Sequence, residues 1–119
     1  MDRITIWHNP RCSKSRETLA LLRERGVEPN IVEYLNAPPT AAEIERVLGL
    51  LSVPARALMR MKEARYKELA LGDEGVEDGA LVAAMAANPI LIERPVVIQG
   101  GRAALGRPPE AVLEILDLN

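Results

Sequence analysis

The first 35 residues settle the fold class. "RITIW" (Arg3–Trp7) alternates and is rich in β-branched residues, the pattern of a strand. "HNPRC" follows, and Pro10 biases Asn9 away from helical geometry, so this stretch is a loop. From Ser13 to about Arg25 the chain reads as an amphipathic helix. Leu19 and Leu22 lie on one face, Leu21 widens it, and Lys14, Arg16, Glu17, Arg23 and Glu24 occupy the other. Gly26 is placed to end the helix, and "NIVEYL" (Asn30–Leu35) reads as a second strand. A strand, a helix and a strand in this span form a β-α-β unit, whose strands run parallel.

The remainder of the chain gives a different pattern. Thr40 and Glu43 have capping-box spacing and open a helix through about Leu50. Ser52 and Pro54 start a short helix containing "ARALMR", and "YKELAL" and "DGALVAAMAAN" add further helical turns. Residues 40–87 are thus mostly helical, with no convincing strand. "PVVIQGGRAALG" (Pro95–Gly106) is a hairpin turning at Gly100–Gly101. "RPPEAVLEIL" closes the chain as a helix that begins at Pro108 and Pro109 and buries Val112, Ile115 and Leu116. The expected architecture is α/β: one domain over residues 1–119, with a four-stranded mixed sheet and a helical insertion between strands 2 and 3, at about 40–87.

The chemistry concentrates in the first loop. Cys12 is the chain's only cysteine and His8 its only histidine. Cys12 stands just before the first helix, where unpaired backbone N–H groups favour an anion such as a thiolate. A cysteine in that position has a lowered pKa and reacts at neutral pH. Lys14 and Arg16 add positive charge, Ser15 is placed to donate its hydroxyl to the sulfur, and His8 is either a partner of the thiol or a plain loop residue. A lone cysteine often serves as a small buried hydrophobe. Cys12, however, lies in a polar loop beside Arg11 and Lys14 rather than in an apolar run, which favours the reactive reading.

Spacing removes several thiol chemistries. A cysteine phosphatase carries an arginine six positions after its cysteine, and here that position is Thr18. A dithiol enzyme carries C-x-x-C, and here the second position is Ser15. One cysteine and one histidine do not make a zinc site, so no metal is expected. An adduct on Cys12 has no second thiol in its own chain to resolve it, so that thiol must come from glutathione or a partner protein. Arg94 and Arg107 each stand beside a proline at a strand end, and Arg60 ends "RALMR". Guanidinium groups bind tetrahedral oxyanions bidentately, but position alone leaves these arginines open between that task and an ordinary surface role.

Composition limits the remaining possibilities. The formal net charge is −2, which gives no reason to expect a nucleic-acid partner. No apolar run is long enough to span a membrane, "MDRITIW" lacks a signal-peptide core, and the single cysteine suits a reducing compartment, so a cytoplasmic protein is expected.

The quoted segments "ITIWHNPRCSKSRETL", "RALMR", "NPILIERPVV" and "GRPPEAVLEIL" resemble the glutaredoxin-dependent arsenate reductases, including their short bacterial relatives. The resemblance spans essentially the whole chain. It implies a thioredoxin-like fold with a cis peptide bond at Pro95. It implies that Cys12 attacks arsenate, that His8 and Ser15 assist the thiol, and that Arg60, Arg94 and Arg107 hold the oxyanion. It further implies glutathione as external reductant, glutaredoxin as protein partner, and no bound cofactor. The alternatives are a thioredoxin-fold regulatory or binding module and a glutathione-linked thiol oxidoreductase acting on another substrate.

Overall fold

The computed structural model describes residues 3–116. Two compact units divide the chain, one formed by Met1–Ala37 with Arg94–Asn119 and the other by Pro38–Glu93.

The first unit is built on a four-stranded sheet in the order β2-β1-β3-β4. β1 (Ile4–Trp7) pairs in parallel with β2 (Asn30–Val32) and antiparallel with β3 (Val96–Gln99), and β3 pairs antiparallel with β4 (Arg102–Leu105). The sheet is mixed, as the β-α-β start and the terminal hairpin require. Gln99 and Arg102 are paired across the hairpin, leaving Gly100 and Gly101 as a two-residue loop. Gly100 has φ +56°, a conformation that a side chain resists.

Helix α1 (Ser13–Glu24) packs its Leu19 and Leu22 against Ile4 and Ile6 of β1 and Val97 of β3. Val112, Ile115 and Leu116 complete the same core. α1 ends in a Schellman motif. Gly26 sits at φ +78°, its N–H donates to the Arg23 carbonyl, and the Val27 N–H donates to the Leu22 carbonyl.

Two elements of this unit differ from expectation. β2 was expected to run to Leu35, but the ladder stops at Val32. The Glu33 carbonyl accepts the N–H groups of Asn36 and Ala37, which turns the chain and takes Tyr34 fully inside while Leu35 faces out. The closing segment, Pro109–Ile115, is a 3₁₀ helix. Neither proline can donate a backbone N–H, and Ala111 N–H closes a three-residue turn on the Pro108 carbonyl. Val112 and Ile115 are three apart, so a threefold helix keeps both on the core side.

The second unit is helical. α2 (Ala41–Leu51) opens with the anticipated capping box. Thr40 Oγ1 accepts the Glu43 N–H at 3.1 Å, and Glu43 Oε1 accepts the Thr40 N–H at 3.0 Å. A 3₁₀ turn at Ala55–Leu58, α3 (Ala64–Glu68), α4 (Asp78–Ala87) and a second 3₁₀ turn at Pro89–Leu91 follow. Residues 40–87 contain no strand element, and a single bridge joins Met59 to Ile92.

Candidate active site

The loop between β1 and α1 is shaped by its own sequence. Cys12 N–H donates to the Asn9 carbonyl at 3.0 Å, closing a turn with Pro10 at its second position. The Asn9 side chain accepts the Arg11 N–H at 3.0 Å, a local bond that asparagine is suited to make. Cys12 is thereby left in extended geometry (φ −94°, ψ 123°) as the N-cap of α1. Its side chain makes no cap hydrogen bond, while the backbone N–H groups of Lys14 and Ser15 in the first turn act on its thiol.

Cys12 is buried, at 9% exposure, and this is where the electrostatics of its thiol begin. Burial by itself pushes the thiol pKa up. The Ser15 backbone N–H, the Arg94 guanidinium, the Lys14 backbone N–H and the Arg107 guanidinium oppose it, and the net direction is down. Arg107 lies near the sulfur, with Nη2 3.9 Å from Sγ. Its Nε donates to the Arg94 carbonyl at 2.9 Å. The peptide bond between Arg94 and Pro95 is cis, and so is that between Arg107 and Pro108. The second cis bond has no counterpart in the sequence reading, although "GRPPE" contains its residues.

His8 and Ser15 form a pair of their own. His8 Nδ1 and Ser15 Oγ are 2.6 Å apart, and the Asn9 N–H also donates to Ser15 Oγ, at 3.0 Å. Ser15 is fully buried and His8 nearly so. The hydroxyl of Ser15 is therefore engaged by the loop, and what reaches the sulfur from this residue is its backbone N–H. Burial lowers the His8 pKa, Glu33 pulls it back up, and Arg23 and Arg16 lower it again, for a net lowering. The shift favours the neutral imidazole over the imidazolium.

The structure thus gathers Cys12, His8, Ser15, Arg94, Arg107 and Pro95 in the first unit. Arg60 belongs to the second, where it pairs with Glu63 at 3.1 Å and donates its backbone N–H to the Leu91 carbonyl. Two supporting residues escaped the sequence reading. Asn9 bonds both Arg11 and Ser15, a role signalled only by the Asn-Pro turn. At Gly106, a Cβ would stand 2.5 Å from Thr18 Oγ1 and 2.6 Å from Pro95 Cγ. Among the described residues there is no cluster of His, Cys, Asp or Glu able to hold a metal ion. Nor is any described helix long and apolar enough to cross a membrane.

Fold and site together define the class: a thioredoxin-like α/β protein with a single cysteine at the cap of its first helix. The comparisons with known proteins narrow this further. The model of the ArsC family matches residues 7–115. An uncharacterized Escherichia coli protein, YfgD, is 55% identical over 114 residues, which cover 95% of this chain and 96% of that one. An arsenate reductase of Neisseria meningitidis serogroup A is 47% identical over 119 residues, which cover 98% of this chain and all of that one. A solved structure of an arsenate reductase from Vibrio cholerae superposes with a TM-score of 0.94 at 53% identity, covering 97% of this chain and 98% of that one. The chain belongs to the ArsC family.

Proposed function

We propose that this protein is an arsenate reductase that uses Cys12 as its nucleophile. The observation carrying the reading is a lone cysteine at a helix cap whose thiol pKa is drawn down by the Ser15 backbone N–H, Arg94, the Lys14 backbone N–H and Arg107, in a chain nearly half identical to a relative named for this activity.

The Cys12 thiolate attacks the arsenic atom, and one arsenate oxygen takes up protons and leaves as water. Arg94 and Arg107 hold the charged oxygens of the substrate; the planar guanidinium matches an oxyanion better than a point charge does. His8 fixes Ser15, and Ser15 fixes the first turn of α1 whose N–H groups act on the thiol. A second thiol, from glutathione, then attacks the adduct. The overall balance is arsenate plus two thiols giving arsenite, one disulfide and one water, so both electrons come from sulfur. Glutaredoxin reduces the mixed disulfide left on Cys12. A reaction that draws on these partners suits the reducing cytoplasm.

Purified protein with arsenate, glutathione, glutaredoxin and an NADPH-coupled glutathione reductase tests the reading. Arsenate-dependent turnover that disappears in Cys12→Ser is expected. A rate no higher than the glutaredoxin background would remove arsenate as the substrate and leave a glutathione-linked thiol oxidoreductase acting elsewhere.

A further inference from the structure

A cleft of about 280 Å³ opens beside the Cys12 loop, on the side of the turn that follows β2. It is lined by His8, Asn9, Pro10 and Arg11 from the loop and by Glu33, Leu35 and Asn36 from the turn. Arg11 immediately precedes Cys12 in the chain. Arg11 and Glu33 bring opposite charges to the same cleft, yet among the described residues neither joins an ion pair with the other or with a third side chain. Two opposite charges lining one cleft, with amide side chains beside them, are complementary to a zwitterion. A carboxylate suits the guanidinium of Arg11, and an ammonium suits the carboxylate of Glu33.

We propose that this cleft binds the amino-acid head of the γ-glutamyl residue of glutathione and so delivers the second thiol to Cys12. The inference rests on the reading of Cys12 as a thiol nucleophile completed by an external thiol. Glutathione carries a free α-amino and a free α-carboxyl group at its γ-glutamyl end. Its thiol lies about 7 Å further on, roughly two residues of extended chain. The α-carbons of Arg11 and Cys12 are about 3.8 Å apart, so a head held at Arg11 sits at the residue next to Cys12, and the thiol beyond it is the group to be delivered. Free cysteine has the same zwitterionic head but carries its thiol directly on it, and cannot span that distance while seated. The cleft therefore selects a thiol held at one remove from an amino-acid head.

The test needs no arsenate. S-Methylglutathione, which cannot exchange, is titrated into the isotopically labelled protein and followed by amide chemical shifts. Saturable shifts at Asn9, Arg11, Leu35 and Asn36 are expected, with affinity weakened roughly fivefold in Arg11→Ala and again in Glu33→Gln, the loss given by one exposed charge pair each. S-Methyl-cysteinylglycine, which lacks the γ-glutamyl head, should bind no better to the wild type than S-methylglutathione binds to the variants. In a second arm, oxidised glutathione reacts with the Cys12 thiolate to give a Cys12–glutathione disulfide and one glutathione thiolate, and Arg11→Ala should slow this exchange by a similar factor. Equal affinity in wild type and variants, shifts confined to another surface, or no saturable binding overturns the proposal. If arsenate turnover is absent but the Arg11-dependent binding persists, the substrate reading fails and the glutathione site stands.

Discussion

Arg107 reaches the sulfur of Cys12, 3.9 Å from its Nη2, while its Nε is tied to the Arg94 carbonyl at 2.9 Å. One guanidinium thus serves the thiolate and the segment that carries the other arginine acting on it. In Arg107→Ala the thiol pKa rises toward the ordinary value of about 8.5. Arg107→Lys recovers little, because one ammonium does not reproduce the rigid fork. The pH dependence of iodoacetamide alkylation checks this, with the wild-type midpoint below that of both variants. The sign on stability follows from the lowered folded pKa. The contribution is complete above the unfolded thiol value and is lost as pH falls through the folded one. The stability gap between wild type and Arg107→Ala should therefore narrow on acidification from about pH 9. Coincident alkylation profiles would remove Arg107 from the thiol's electrostatics.

Ser15 joins the loop to the helix through two bonds at one buried oxygen, and its loss leaves His8 Nδ1 and the Asn9 N–H without that partner. Ser15→Ala should cost about 1–3 kcal/mol in urea unfolding and slow Cys12 alkylation at pH 7, since the first turn of α1 is no longer tied to the loop. The His8 pKa is lowered in the fold, so its stabilising contribution is present above the unfolded value near 6.5 and falls away as pH drops through the folded one. Wild type should thus lose stability below about pH 6.5 faster than His8→Gln, which does not titrate there. Parallel pH–stability curves would mean that His8 is not held neutral.

What could be read from the sequence was local. The Schellman end at Gly26, the capping box at Thr40 and Glu43 and the Gly100–Gly101 turn each depend on residues within a few positions, and each formed as expected. The end of β2 was not legible, because "NIVEYL" has strand propensity throughout. Tyr34 is fully buried by a turn rather than by continued pairing, and tertiary packing decided that. The final helix was misread in type because helical spacing of apolar residues also fits a 3₁₀ segment. Within the site, the position of Cys12 at the cap of α1 was legible. The engagement of the Ser15 hydroxyl by His8 and Asn9 was not, since it depends on how the loop folds back.

Gly106 packs between α1 and the ring of Pro95, and no side chain fits there. The Cβ of an alanine would meet Thr18 Oγ1 at 2.5 Å and Pro95 Cγ at 2.6 Å. Neither partner can step aside easily, because Thr18 Oγ1 donates to the Lys14 carbonyl at 2.8 Å and the proline ring is fixed to the backbone. Gly106→Ala should destabilise the protein by about 1–3 kcal/mol, the usual cost of overpacking. Adding Thr18→Ala removes one of the two clashes and should restore part of the loss, whereas Thr18→Ser keeps the oxygen and should restore none. Chemical denaturation of the four proteins measures this, and an undisturbed Gly106→Ala midpoint would mean that the segment moves at no cost.

Arg56 organises the second unit from a position that the sequence presented only as the first arginine of "RALMR". Its Nη1 donates to Tyr66 Oη and to the Leu71 carbonyl, each at 2.6 Å, and its Nη2 donates to the Asp73 carbonyl at 2.8 Å. One side chain thereby closes the loop after α3, where Ala70 holds φ +54° and its carbonyl accepts the Asp73 N–H. The acceptors lie at fixed angles around a planar fork, so Arg56→Lys should keep the charge and lose most of the bonds. Arg56→Ala should cost about 2–3 kcal/mol, less than the sum of three charge-assisted bonds because the half-buried loop regains water. The loss is local: hydrogen exchange should accelerate at the Leu71 and Val76 amides, both bonded within this loop, while the β1 and β3 amides keep their protection. Equal acceleration in both sets would make Arg56 a contributor to global stability instead of the clasp of one loop.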